Sequence, residues 1–211
     1  MAVTVITRYD LGMGRWQPGA GGRLEKAALE LYSEHGYDAT TVAEIAERAG
    51  LTERTFFRHY ADKREVLFAG ATVLQDLLVG RVLAAPAALT PLDAIADALV
   101  HAAVVVFEER RDFVRLRQAI VAANPELQER ELIKLASLAS ALADALRERG
   151  VSEPGASLAA EAGIAVFKIA FEHWVSDSRP STLAQHIEES MAELRLVTAG
   201  LPVADRADQP L

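Results

Sequence analysis

Apolar residues recur at three- and four-residue intervals from Arg23 almost to the end of the chain, the spacing of helices that bury one face. Leu24, Ala27, Ala28, Leu31 and Tyr32 make the first stripe, and Gly36 stops it. Thr40 or Thr41 caps a short second helix with Val42, Ile45, Ala46 and Ala49 inward. Gly50 ends that helix, and Thr52 caps a third that breaks at Ala61-Asp62. Longer periods then run over 63–84, 90–109, 111–123, 124–149, from within 152–155 to 176, and over 180–200. Thr90-Pro91 and Asn124-Pro125 are opening signals, because proline suits a first turn whose N–H groups have no helical acceptor. No stretch alternates at period two long enough for a sheet. The pattern predicts an all-α chain of about nine helices, three short and then six longer.

The pattern also divides the chain. Residues 1–21, glycine-rich and without a sustained period, read as a flexible N-terminal arm, and 203–211 reads as a disordered tail. The short helices of 22–68 form one domain and the longer helices of 69–202 a second. With 211 residues and 51% of them hydrophobic, a sizeable core needs no staple. There is no cysteine, which excludes disulfides, thiolate zinc sites and cysteine nucleophiles and fits a cytoplasmic location. The N-terminus lacks the apolar core of a signal peptide. The longest aliphatic run, 98–107, contains His101 and is too short to cross a bilayer, so no membrane span is expected.

Charge alters the picture locally. The whole chain carries −8, but residues 1–68 hold 9 Lys/Arg against 10 Asp/Glu while 69–211 hold 13 against 20. The cations of the first part cluster at Arg54, Arg58, Lys63 and Arg64, among Phe56, Phe57, His59 and Tyr60. Local potential decides what docks on such a patch.

The two short helices around Gly50 read as a helix-turn-helix. Ala46 is small enough for a close crossing, and glycine accepts the left-handed turn. Ile45, Leu51, Phe56 and Tyr60 form the apolar set that fastens the pair to the first helix. At about 100° per residue, Phe57, Arg54 and Arg58 fall about 100°, 160° and 200° from the inward Phe56. The outward surface is therefore Arg54, Thr55, Phe57, Arg58 and His59, which suits the major groove of double-stranded DNA.

The run TTVAEIAERAGLTERTFFRHYADKREVLF resembles the DNA-binding domain of the TetR repressor family: an IA-x-x-AG core, a Leu-Thr step, a Thr-aromatic-aromatic-x-His-aromatic run and a following lysine. The resemblance is detailed over about 23–68. It implies that Glu53, Arg54 and Phe57 read base edges, and that Thr41, Thr55, Arg58, His59 and Lys63 contact the sugar-phosphate backbone. Two positions depart from the family. Phe57 replaces the usual tyrosine and has no hydroxyl for a phosphate. Arg54 stands where glycine or proline is common, and could bond guanine O6 and N7, worth about 1–3 kcal/mol of discrimination.

A half-site reader binds weakly alone, so a dimer surface is expected. The helix of 156–177 shows polar side chains mainly on the stripe of Glu161, Lys168 and Glu172, which asks for cover on two sides. It and the helix of 181–199, with Leu183, Ile187, Met191 and Leu194 on one face, are the candidate homodimer interface; a central helix of a monomeric bundle fits the same pattern. The resemblance further implies an unknown small-molecule effector among the later helices. Candidate pocket residues are His101, Phe107, Phe113, Gln118, Phe167, Phe171 and Trp174, each of which also fits plain core packing.

No GxSxG, P-loop or HExxH occurs, and Gly12-Met13-Gly14 lacks the third glycine of a dinucleotide site. Glu172-His173 and His186 with Glu189 are pairs of a kind usually solvated. The expectation is a non-enzyme without metal or cofactor: a ligand-responsive, DNA-binding regulator, a repressor, acting on a palindromic operator as a homodimer. The effector would act by pivoting the helix that starts at Lys63. The alternative is an all-helical carrier or enzyme whose N-terminal region is structural.

Overall fold

Thr41 closes a capping box, its hydroxyl accepting from Glu44 N–H (3.2 Å) while its own N–H donates to the Glu44 carboxylate (2.7 Å). That reciprocal pair starts α2 (Val42–Arg48). Thr40, 1% exposed, turns its hydroxyl back to the Gly36 carbonyl instead (2.8 Å). Gly50, at φ 64°, then lets Leu51 N–H reach Ala46 O (2.8 Å) and its own N–H reach Glu47 O (2.9 Å). Two carbonyls of the α2 end are thereby satisfied and the chain reverses into α3 (Glu53–His59), capped by the Thr52 hydroxyl on Thr55 N–H (3.2 Å). These local bonds set the helix-turn-helix, and Phe56, fully buried, fastens it.

A computed structural model of the chain describes residues 19–200. The first 18 positions of the expected arm and the whole expected tail at 203–211 lie outside the described residues. The chain divides into two compact units. One comprises the described residues up to Ala69 together with Ala119–Asn124; the other comprises Gly70–Gln118 and the described residues from Pro125 onward.

In the first unit, α1 (Ala20–His35) packs with α2 and α3. It starts at Ala20, four residues before the apolar stripe that opens at Leu24. Gly21 and Gly22 have no side chain for the pattern to register, and the turn is held from outside by the Tyr60 hydroxyl, which donates to Gly21 O (3.4 Å) and the Glu25 carboxylate (3.3 Å). The long helix expected from Lys63 is not one α-helix. Asp62 accepts from Arg64 N–H (2.8 Å) and Glu65 N–H (3.2 Å) and opens a 3₁₀ turn, Glu65–Phe68. Regular α-helical bonding begins only at α4 (Ala71–Ala84). Val66, Leu67 and Phe68 are all buried, a need for cover on several sides that no single helix face meets.

By length and composition the stretch Glu65–Ala84 is apolar enough to cross a membrane, with mean hydropathy 1.6. Its regular helix spans only 14 residues and carries Asp76 and Arg81, whereas a spanning helix needs about 20.

The second unit is built from α4, α5 (Pro91–Ala102), the N-terminal part of α6 (Arg111–Ala122), α7 (Pro125–Glu148), α8 (Gly155–Ser176) and α9 (Leu183–Thr198) around one core that includes Ile95, Leu99, Leu142, Leu146, Phe167, Trp174 and Ile187. Helices α7 and α9 flank α8, and α5 crosses it. Gly163 makes that crossing possible: a Cβ there would meet Ile95 Cγ2 at 2.4 Å. The helix expected over 90–109 ends at Ala102, continues as a π turn, Ala103–Phe107, and tightens to a 3₁₀ turn, Glu108–Arg110. A π turn accommodates one extra residue and re-aims the side chains beyond it. Here the Phe107 ring comes 5.8 Å from both Phe167 and Phe171. The architecture is all-α, with nine α-helices and no strand among the described residues.

One expectation for α9 is overturned. Leu183, Ile187 and Met191 are at most 3% exposed and pack into their own unit, against α8 and α5. That apolar face is needed to close the local core and is not free to meet a partner.

Candidate nucleic-acid interface

Helix α3 has two faces of opposite character. Phe56 points in, its ring 5.5 Å from Tyr60. Glu53, Arg54, Phe57, Arg58 and His59 are exposed, with Phe57 at 54% and its ring edge-on to Phe56 at 5.6 Å. Thr55 is half-buried, its hydroxyl 3.1 Å from that of Thr52. Thr41 is exposed at the start of α2, where its N–H first and its hydroxyl second hold the Glu44 carboxyl below the usual range.

Neither Arg54 nor Arg58 makes a hydrogen bond or ion pair with any described residue, and neither turns inward. Arg48, close by in sequence, behaves differently: it grips both oxygens of Glu34 at 3.2 and 2.9 Å, which raises its own pKa and lowers that of Glu34. Arg23 donates to Ala49 O (3.2 Å), a further cap on α2. These locks were invisible in the sequence, because the partners lie 14 and 26 residues apart.

Lys63 differs from the other candidates. Its ammonium donates to the carbonyls of Tyr37 (2.8 Å), Asp38 (3.3 Å) and Thr40 (3.1 Å) and lies 4.3 Å from the centroid of the Tyr37 ring. All three of its donors serve the loop between α1 and α2. The Lys63 carbonyl in turn accepts from the Tyr32 hydroxyl (2.7 Å), a phenol whose pKa burial pushes up.

The candidate effector residues separate into two groups. Phe107, Phe167, Phe171 and Trp174 form a continuous chain of ring contacts with centroids 5.7–6.0 Å apart. The other three have different neighbours, although Phe113 packs on the same core as Phe107 and Phe171. His101 sits beside Asp97, whose carboxyl is held low first by its hydrogen bonds from Arg81 and last by His101. Phe113 lies under the Arg110 guanidinium at 4.3 Å, and Gln118 adjoins Arg117, which pairs with Glu131 at 2.8 Å.

Two features of this unit left no signal in the sequence. Arg111 donates to the carbonyls of Trp174, Asp177, Arg179 and Ser181 at 2.8–3.3 Å, and Arg115 donates to those of Val175 (3.0 Å) and Asp177. Ser181, His186 and Asp177 also meet, but not as a catalytic relay. His186 Nε2 faces both Ser181 Oγ (3.0 Å) and Asp177 Oδ2 (3.5 Å), and the serine hydroxyl donates to that same carboxylate (2.9 Å). A general-base relay needs the carboxylate on the opposite ring nitrogen.

Comparisons with known proteins converge on this arrangement. Residues 24–69 match the profile of bacterial regulatory proteins of the tetR family, and residues 89–202 match the MftR C-terminal domain. The chain is 27% identical to MftR of Mycobacterium tuberculosis, a protein named for transcriptional regulation of mycofactocin biosynthesis, over 95% of this chain and 99% of that one. It is 38% identical to the HTH-type transcriptional regulator TcmR of Streptomyces glaucescens, in a match confined to 36% of this chain and 34% of that regulator. Among solved structures, Thermus thermophilus FadR, a TetR-family repressor in complex with lauroyl-CoA, aligns with TM-score 0.50 and 25% identity over 90% of this chain and 99% of that one. The SmeT–triclosan complex, whose repressor comes from Stenotrophomonas maltophilia, aligns with TM-score 0.60 and 19% identity over 91% and 98%. With its helix-turn-helix and its C-terminal bundle both matched, the chain belongs to the tetR family of bacterial regulatory proteins and is a DNA-binding transcriptional regulator.

Proposed function

We propose that the protein is a cytoplasmic homodimeric repressor whose two α3 helices enter successive major grooves of a palindromic operator, and whose helical bundle takes a small-molecule effector that lowers operator affinity. The observation that carries this reading is the exposed α3 face, where Arg54 and Arg58 have no partner among the described residues. Arg54 and Glu53 read base edges beside Phe57. Arg58, His59, Thr41 and Thr55 follow the phosphates, and the charge of Lys63 supports them from within the loop that it fastens. On α8, Leu158 (65% exposed), Ala162, Ala165 and Ile169 (49% exposed) recur at helical spacing on one outward stripe, which supports a two-fold contact through that helix. The exposed side of α9, not its buried stripe, adjoins it in this reading.

The aromatic chain of Phe107, Phe167, Phe171 and Trp174 supports an effector with an apolar part, in keeping with the lauroyl chain and the triclosan rings in the complexes of the two structural relatives. The effector needs only a higher affinity for the DNA-free state than for the bound one. Selection of bound duplexes from a random pool, followed by gel shift at several salt concentrations, tests the reading. Arg58→Ala should weaken binding to all sequences and reduce the salt slope by about one. Arg54→Ala should relax preference at one base position. Unchanged binding by both variants would defeat the contact assignment.

A further inference from the structure

Among the described residues of the second unit, two side-chain polar atoms are buried without a partner: Glu108 Oε1 and Arg111 Nε. One is an acceptor and the other a donor, and they belong to positions three apart. The 3₁₀ turn Glu108–Arg110 runs straight into α6, and in 3₁₀ winding side chains at i and i+3 project on the same side. The side is known from Arg111, whose guanidinium stands 5.3 Å from the centroid of Trp174. Trp174 contacts Phe171, and Phe171 contacts Phe107, the residue before Glu108. The orphaned donor thus borders one end of the aromatic chain, and the winding puts the orphaned acceptor on the same side of the backbone.

Such groups are rare in folded proteins, since burying a polar atom unpaired is unfavourable. Arg111 is fixed by its four carbonyl bonds, which occupy both terminal nitrogens and leave Nε alone. Glu108 comes directly after the π turn, a distortion often found at functional sites.

We infer that Glu108 and Arg111 recognise the hydroxyl of an aromatic effector. The inference rests on the reading of the bundle as the effector domain and names the effector class, a phenol or related aryl alcohol. One hydroxyl both donates and accepts, so it satisfies Glu108 Oε1 and Arg111 Nε together, while its ring meets the faces of Phe107, Phe171 and Trp174. An ammonium would satisfy Glu108 but would place a cation beside the guanidinium and leave Nε unpaired. A carboxylate would serve Arg111 and repel Glu108.

The test uses the full chain, with 2-naphthol, naphthalene and 2-naphthylmethylamine titrated calorimetrically. Wild type should bind the naphthol on the order of tenfold more tightly than either analogue. Glu108→Leu should bind naphthol and naphthalene alike. In the absence of ligand its melting temperature should hold or rise, because an uncompensated buried oxygen is removed; a structural role for Glu108 would lower it. Arg111→Lys, which keeps the charge and removes Nε, should show the same loss of preference. Equal binding of naphthol and naphthalene by wild type, tighter binding of the amine, or a fall in the melting temperature of Glu108→Leu each overturns the inference. The regulatory reading is judged separately by operator release. Glu108-dependent binding without any release would sink that reading and leave the hydroxyl site standing. Release by another ligand, indifferent to Glu108→Leu, would do the reverse.

Discussion

The α3 face and the helical bundle use arginine in opposite ways. On α3, Arg54 and Arg58 point to solvent and spend no donor on the described protein. In the bundle, Arg111 and Arg115 tie α6 to the α8–α9 connection, and Arg149 holds the carbonyls of Val82, Ala85 and Pro86 at the end of α4. A guanidinium with planar, fixed donors suits either task, phosphate and base edges in one case and loop carbonyls in the other. The difference shows that side-chain identity does not announce function; unused donors on a rigid, capped helix do. Lys63, a candidate contact residue, stands instead with Arg23 and Arg48 of its own unit and spends its donors as the bundle arginines do.

The comparison can be broken most forcefully at Phe56. Its replacement by alanine should remove about 3–5 kcal/mol from the first unit, with DNA binding lost alongside. Arg58→Ala should leave the denaturation midpoint within about 0.5 kcal/mol and reduce only binding. If both variants lost stability equally, α3 would not have a free face.

Lys63→Met sharpens the boundary case. Loss of charge-assisted bonds to three carbonyls should destabilise the first unit by about 1.5–3 kcal/mol in urea melts. A variant of wild-type stability with uniformly weakened DNA affinity would instead place Lys63 with Arg54 and Arg58.

In the bundle, Gly163→Ala forces Ile95, itself fully buried, to shift. The expected loss is about 1–3 kcal/mol in thermal or chemical unfolding, with no direct effect on the α3 face. A neutral outcome would mean that the α5–α8 crossing has room to slide.

The smallest effect concerns pH. The Arg179 side chain first, then its backbone N–H and the Ser181 hydroxyl, hold the Asp177 carboxyl well below the usual carboxylate range. A depressed carboxyl contributes stability above its unfolded value, near pH ~4, and loses it as pH falls through the folded value. Amide exchange at Arg179 and Ser181 should therefore accelerate in strongly acid solution, and Asp177→Asn should abolish that dependence. An equal acid response in the variant would assign the effect to another carboxylate.

Much of the DNA-binding unit was legible because its instructions are local. Caps at Thr41 and Thr52, the left-handed turn at Gly50 and the inward spacing of Phe56 lie within twenty residues, and each has one good backbone solution. Where the instruction was non-local, the pattern misled. It drew one helix from Lys63, whereas Asp62 and the three buried residues after Glu65 impose a 3₁₀ turn. It carried a second helix through the valines of Ala103–Phe107, where a π turn instead re-aims Phe107.

The sequence by itself determined the all-α class, the nine α-helices of the described residues and the outward placement of Arg54, Phe57, Arg58 and His59 on α3, though not of the half-buried Thr55, because hydrophobic period and capping chemistry act over one or two turns. Only the tertiary structure decided that the apolar stripe of α9 closes its own core, that Lys63 fastens a loop, and that Phe107, Phe167, Phe171 and Trp174 join in one chain of rings. Those outcomes depend on which helix covers which face, and that choice is made by packing between segments far apart in the chain.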